Sequence, residues 1–216
     1  FVSRDVFRLG ERARNANLLE EGTLYVARFN ADGSVEWLEL VHGRRGLDES
    51  GANPLGLKFV SQADVLIRTR QAADAVGATK MDRPEWVAVH PETGEVYVTL
   101  TNNSARQAEQ VDAANPRARN IYGHIVRWRE ADGDAAAVRF TWDVFVQAGD
   151  PSHPQGKATA EDQGIRGDLF GSPDGLRFDR DGRLWIQTDA AGASIQKPDG
   201  TPTAAYANIG HNQMLC

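Results

Sequence analysis

Cysteine is almost missing from this sequence: among 216 residues there is one, Cys216, at the last position. A lone cysteine excludes a disulfide framework within the chain and any Cys-rich zinc site, and it leaves the redox compartment unreadable. Long apolar runs are missing as well; none approaches the roughly 20 residues that a membrane-spanning helix needs. The opening residues Phe1-Val2-Ser3-Arg4-Asp5 lack the basic region and apolar stretch of an export signal. A chain that begins on Phe and stops within Asn212-Gln213-Met214-Leu215-Cys216 reads as cut at both ends, so a fragment of a larger protein is expected. Cationic excess is lacking too. The 24 Lys and Arg residues are outweighed by 30 Asp and Glu, for a net charge of -6, which argues against nucleic acid as a dedicated partner. That balance is compatible with divalent metals and leaves room for a local cationic pocket. There is no Gly-Xaa-Ser-Xaa-Gly elbow and no P-loop, so serine hydrolases and P-loop nucleotide enzymes are unsupported.

What is present is mostly β. Hydrophobic residues at 41% and charged residues at 25% are ordinary for a globular chain. Short runs rich in Val, Tyr, Trp, Phe and Thr recur between Gly and Asp. Residues 24–29 and 35–40 flank Asn30-Ala31-Asp32-Gly33-Ser34, a hairpin signal. Residues 62–76 are the one good helix candidate, with Val65, Leu66, Ala72, Ala73 and Val76 on its apolar face and Gly77 as its stop. Four strands are expected next, at residues 86–90, 95–101, 124–128 and 139–146. A polar loop over residues 102–122 either roofs a pocket or is a solvated connection. A further pair follows at residues 176–178 and 184–188, and the chain ends near what would be a third strand.

The chain repeats itself. Arg83-Pro84-Glu85-Trp86-Val87-Ala88-Val89-His90 aligns with Ser172-Pro173-Asp174-Gly175-Leu176-Arg177-Phe178-Asp179. Each copy continues through a glycine turn, at Gly94 or Gly182, into an aliphatic–aromatic pair, Val96-Tyr97 or Leu184-Trp185. Four antiparallel strands per repeat suit a β-propeller blade. The expected layout is the end of one blade at about 22–41, a full blade at 83–146 and the start of another at 172–216, with 44–80 and 147–171 as insertions. A β-sandwich is the competing fold and leaves the repeat unexplained.

Glu85 and Asp174 fall at the same register of the repeat, each directly after a proline that stiffens the backbone. Propeller pseudo-symmetry would aim both carboxylates at one axial site, and converging acidic oxygens call for a hard cation such as Ca²⁺. Taken alone, Pro173-Asp174-Gly175 is as much a turn sequence as a site. Arg83, two residues before Glu85, shares its face in an extended segment. There it either grips a phosphate or carboxylate with parallel hydrogen bonds or forms a surface ion pair with Asp82 or Glu85. Asp32, Asp132, Asp181 and Asp199 sit beside glycine and read as turn formers. His42, His90, His124, His153 and His211 lack metal-motif spacing and read as structural, with His124 the least ordinary. The tryptophans, including Trp86, Trp128, Trp142 and Trp185, read as strand packing.

The run from Met81 through Arg83-Pro84-Glu85-Trp86-Val87-Ala88-Val89-His90-Pro91, then Thr93-Gly94-Glu95-Val96-Tyr97 and Leu100-Thr101-Asn102-Asn103, resembles the PhoX-type alkaline phosphatases. So do Asn115-Pro116-Arg117, Tyr122-Gly123-His124-Ile125 and Ser172-Pro173-Asp174-Gly175-Leu176, in the family's order. The resemblance implies a six-bladed β-propeller, secreted or periplasmic and exported by the twin-arginine route. It also implies a phosphomonoesterase with a mixed calcium and iron (Ca²⁺, Fe³⁺) cluster, acting on small-molecule phosphomonoesters as a monomer without membrane attachment. Carried onto this sequence, it makes Glu85 and Asp174 metal ligands and Arg83 the phosphate-binding residue. The family's N-terminal metal-binding segment with its cysteine ligand has no counterpart in these residues, and Cys216 lies outside that motif. The stretch from Pro173-Asp174-Gly175-Leu176 through Gly182-Arg183-Leu184-Trp185 also resembles the calcium-dependent lactonases of the gluconolactonase type. A non-catalytic binding fragment is the third alternative.

Overall fold

The alternating apolar runs form strands close to where the sequence places them. A computed structural model describes residues 1–159 and 164–216; residues 160–163 of the expected 147–171 insertion lie outside the described residues. The chain divides into two compact units, one built from Phe1–Phe29, Val35–Thr79 and Asp134–Arg139, the other from Asn30–Ser34, Lys80–Gly133 and Phe140–Cys216.

In the first unit, β1 (Val2–Ser3) pairs with β2 (Gly22–Thr23), and a short α1 (Arg12–Asn15) lies between them in sequence. β3 (Tyr25–Phe29) and β4 (Ser34–Glu39) form the expected hairpin, in antiparallel register from Tyr25 opposite Glu39 to Phe29 opposite Val35. Gly33, at φ +82°, supplies the left-handed turn residue that a side chain would resist. The expected single helix over 62–76 is instead two: α2 (Gln62–Ile67) and α3 (Thr69–Ala75). Arg68 breaks the spiral with φ -97° and ψ 35°. The Thr69 hydroxyl bonds the Leu66 carbonyl, a local competitor to the helical ladder. Ser61 caps α2 by accepting from the Asp64 amide at 3.1 Å. Of the apolar face expected for this segment, Val65 and Ala72 are buried with Leu40, Leu47 and Phe59, whereas Leu66 is 44% exposed. Val65 on α2 and Ala72 and Ala75 on α3 nevertheless bury into one cluster across the break at Arg68.

The second unit holds the repeat. β5 (Pro84–Val89), β6 (Val96–Leu100), β7 (His124–Glu130) and β8 (Arg139–Gln147) run as an antiparallel meander. β9 (Pro173–Phe178) and β10 (Leu184–Thr188) form the next hairpin, and β11 (Met214–Leu215) pairs with Gln187 and Ile186 as its third strand, after a short α4 (Gly192–Ile195). The two repeats pair their first strands identically. In one, Pro84 faces Leu100 and Val87 faces Val98, so Glu85 and Trp86 together oppose Thr99. In the other, Pro173 faces Thr188 and Leu176 faces Ile186, so Asp174 and Gly175 together oppose Gln187. Both are β-bulges, which re-aim side chains and interrupt the ladder. Asp174 therefore sits in a bulged strand and not in the turn that its flanking Pro and Gly suggest. The core of this unit gathers Tyr97, Tyr122, Ile125, Phe170, Leu176, Ile186 and Tyr206. Trp128 is buried as strand packing requires, but Trp86 and Trp185 are 53% and 37% exposed.

The 102–122 loop is neither open nor solvated throughout. Asp82 is fully buried and takes Arg106 Nε at 2.5 Å on one oxygen and Asn120 Nδ2 at 3.0 Å on the other. Asn120 also faces His124 Nδ1 at 3.1 Å, and His124 Nε2 lies 2.8 Å from the Ala114 carbonyl. A carbonyl only accepts, so Nε2 carries the proton and Nδ1 accepts from Asn120. His124 is thus a structural histidine held neutral. Burial first, and the cations Arg117 and Arg106 after it, push its pKa down to about 4 against the help of the Ala114 carbonyl and Asp82. The unfolded chain takes up a proton on this residue below about pH 6.5 while the folded chain does not until about pH 4. Stability is therefore expected to fall as pH drops through that window, by an amount on the order of 3 kcal/mol. Urea unfolding of the full-length protein at pH 7 and pH 5 checks this. A His124→Gln variant should lose that part of the acid sensitivity, and an unchanged pH response would refute the assignment.

Candidate functional site

Two matched corners build the site. Arg83 and Ser172, the residues before the two prolines, both take left-handed backbone angles, φ 53° and φ 55°. Non-glycine residues rarely do so, and each such corner costs on the order of 1–3 kcal/mol unless its surroundings enforce it. Backbone hydrogen bonds enforce both in the same way. The Thr101 amide donates to the Arg83 carbonyl at 3.2 Å, and the Asp189 amide to the Ser172 carbonyl at 2.9 Å. Arg83 also donates its amide to Met81, and Ser172 to Tyr122. Strain preserved twice at equivalent positions marks a place where side-chain direction matters.

Two threonines, Thr99 on β6 and Thr101 just beyond its end, lock the second corner against the first. Thr99 Oγ1 accepts from the Trp86 amide at 3.0 Å and donates to the Asp174 carbonyl at 2.7 Å. Thr101 Oγ1 donates to the Pro173 carbonyl at 2.9 Å. Each bulge is thus tied through backbone groups to the same stretch of chain. The Glu85 and Asp174 carboxylates share one electrostatic neighbourhood. Partial burial first, then the negative charges of Glu85 and Asp189, raise the Asp174 carboxyl above the usual range, and Arg83 opposes them. Asp189 was not singled out by sequence reasoning. It is the repeat equivalent of Thr101, and an aligned acidic residue where the first copy has a hydroxyl is the signal that could have found it.

Arg83 is at the surface of this cluster, its side chain 60% exposed and Nη2 3.6 Å from Glu85 Oε1. Its other nitrogen, Nη1, donates to Asn102 Oδ1 at 2.8 Å. The alternative partner Asp82 is ruled out, because both its oxygens are taken inside the loop network. Of the residues chosen from the sequence, Arg83 and Glu85 are in contact, and Asp174 is linked to Glu85 by charge. Among the described residues no three His, Cys, Asp or Glu side chains gather as a metal-binding group. The donor set is a pair of carboxylates, hard oxygen ligands that suit calcium-type ions; Cys216 is exposed at the far end of the chain. Most other candidates drawn from the sequence fall into structural roles. Asp32 and Asp199 cap their own turns by accepting from Ser34 and Thr201, and Asp181 pairs with Arg183. His42, His90 and His153 bond to backbone groups. An open cleft of about 440 Å³ lies beside the bulges, lined by Trp86, Gly175, Leu176, Phe178, Trp185 and Met214.

Comparison with known proteins gives this geometry a context. No curated protein matches the sequence. Among solved structures, Pseudomonas fluorescens PhoX in complex with vanadate, a transition state analogue, matches with 44% identity and a TM-score of 0.82. The match covers 99% of this chain and 36% of that one, so the chain spans about a third of that protein's length. A family model described as alkaline phosphatase PhoX matches residues 1–216, the whole sequence. On that match from end to end, the chain belongs to the PhoX alkaline phosphatase family.

Proposed function

We propose that this chain supplies part of the active site of a metal-dependent phosphomonoesterase, releasing phosphate from small-molecule phosphoesters. The single observation that supports it most is the pair of matched bulges, which set Glu85 and Asp174 at equivalent places in successive repeats beside the Arg83 guanidinium. In this reading the two hairpin repeats belong to blades of a propeller: 22–41 the end of one blade, 83–146 a whole one, 172–216 the beginning of the next. The remaining blades and ligands come from polypeptide beyond the third of the length that this chain spans. Glu85 and Asp174 hold metal, calcium with iron in the family's manner. Bound there, such cations supply positive charge that polarises a phosphoryl oxygen.

The chain's own residues bind and orient. Arg83 has five N–H donors, and Asn102 takes one of them. The others can meet phosphate oxygens with the planar fork that guanidinium offers, and the charge stabilises the transferring group as negative charge redistributes. Export to the periplasm and a monomeric state complete the proposal; among the described residues no helix is long and apolar enough to cross a membrane.

The test is an assay of the full-length protein with calcium and iron supplied, using p-nitrophenyl phosphate beside a simple lactone. Phosphate release that disappears on chelation and returns with the metals is expected, with no lactone opening. Lactone hydrolysis without phosphate release would overturn the reading in favour of the lactonase alternative, and neither activity in metal-loaded protein would favour a binding role.

A further inference from the structure

The position that holds Arg83 in one repeat holds Ser172 in the next, and the two side chains are joined. Arg83 Nη1 donates to Asn102 Oδ1 at 2.8 Å. Asn102 Nδ2 donates to Ser172 Oγ at 3.2 Å. Ser172 Oγ lies 3.0 Å from the Tyr206 hydroxyl. Ser172 and Tyr206 are 1% and 2% exposed, so this series of bonds begins in the packed core and ends on an exposed guanidinium. Beside Tyr206, Gly171 leaves room that a side chain would fill, since a Cβ there would stand 2.8 Å from the Tyr206 hydroxyl. We infer that Ser172 and Asn102 are positioning residues that hold the Arg83 guanidinium out for phosphate.

The physical need is clear from what competes for Arg83. Glu85 Oε1 is already 3.6 Å from Nη2, and the Asp174 carboxylate shares the electrostatic neighbourhood of Arg83 and Glu85. A long exposed side chain beside two carboxylates tends to fold onto them, where it would neutralise the ligands and withdraw from an incoming anion. One fixed bond to Asn102 opposes that collapse and reduces the rotamer freedom lost on binding phosphate. Asn102 is itself fixed because its amide nitrogen has a buried acceptor, and Ser172 provides it. The left-handed corner at Ser172 aims the hydroxyl, which is a use for strain that would otherwise be a defect.

The proposal rests on Arg83 being the phosphate-binding residue, and the experiment separates the two. Ser172→Gly in the full-length enzyme removes the hydroxyl, while glycine accepts φ 55° without strain. Metal content should hold and Tm should fall only by a few degrees, because the buried Tyr206 hydroxyl loses its partner, while kcat/KM for p-nitrophenyl phosphate falls about tenfold and the inhibition constant of inorganic phosphate rises by a similar factor. Asn102→Ala should do the same. In an Arg83→Ala background, Ser172→Gly should change kcat/KM by less than about twofold, because residues acting through one group are not additive. Full activity in Ser172→Gly, or an equal loss in both backgrounds, overturns the positioning role while leaving Arg83 in place. An Arg83→Ala enzyme with unchanged activity overturns both.

Discussion

Phosphomonoesterase activity is expected to vanish, together with bound metal, when Glu85→Gln and Asp174→Asn are introduced into the full-length enzyme. The substitutions keep side-chain shape, and neither carboxylate is an anchor of the fold: the bulges are tied to Thr99 and Thr101 through backbone groups, not through the carboxylate oxygens. The loss should therefore be chemical. Removing even an outer hydrogen-bond partner of a metal ligand costs about 10–100-fold in affinity, so if Glu85 and Asp174 hold the metal as proposed, losing both should exceed that range. The electrostatics supply an independent readout. Partial burial first, then the crowding like charges of Glu85 and Asp189, raise the Asp174 carboxyl. Neutralising the pair relieves that repulsion, so metal-stripped variant protein should melt no lower than metal-stripped parent. Calcium should raise the parent's Tm and leave the variant's unmoved, as ligand linkage requires. Metal analysis, thermal unfolding with and without calcium, and turnover of p-nitrophenyl phosphate decide the matter. A variant that retains metal and activity would remove Glu85 and Asp174 from the site.

The second large effect is expected at Arg83. Arg83→Ala should reduce kcat/KM by about 10²- to 10³-fold, the magnitude seen when one preorganised donor to a developing oxyanion is lost. Metal content should stay near that of the parent, since the guanidinium is not a ligand and its removal leaves the neighbouring carboxylates free for cations. Arg83→Lys should recover only part of the loss, because an ammonium keeps the charge and lacks the paired donors. Vanadate offers a direct check, being the analogue bound in the similar Pseudomonas fluorescens structure. Inhibition by it should weaken in step with kcat/KM. Turnover equal to the parent's would show that Arg83 is only the surface partner of Glu85.

Much of this arrangement was legible because strand periodicity and glycine turns are local signals. The hairpin at 22–41, the four strands of the meander and the short third strand at the chain end all follow from such patterns. The alignment of Glu85 with Asp174 was legible for a different reason: a repeated fold repeats its pairing, and the two bulges have one register. What escaped was conformational or distant. No residue pattern announces that Arg68 leaves helical angles, because the competitor is a hydroxyl bond from Thr69. Nor does the sequence reveal that the polar 102–122 loop closes over a buried Asp82, since polar residues in a loop ordinarily face water. Asn102 and Ser172 were inside the recognised blocks, yet their bond to each other spans 70 positions and exists only in the fold. The exposed Trp86 and Trp185 show the same limit in reverse, apolar by type yet unburied in these strands.

The twin corners at Arg83 and Ser172 show how one backbone shape can serve two trades. Their φ angles, 53° and 55°, are nearly the same, yet one projects a cation toward solvent and the other plants a hydroxyl in the interior. A duplicated scaffold of this kind separates the geometry of presentation from the chemistry presented. A side chain exchanged in either socket meets the same backbone angle and takes its direction from the surroundings.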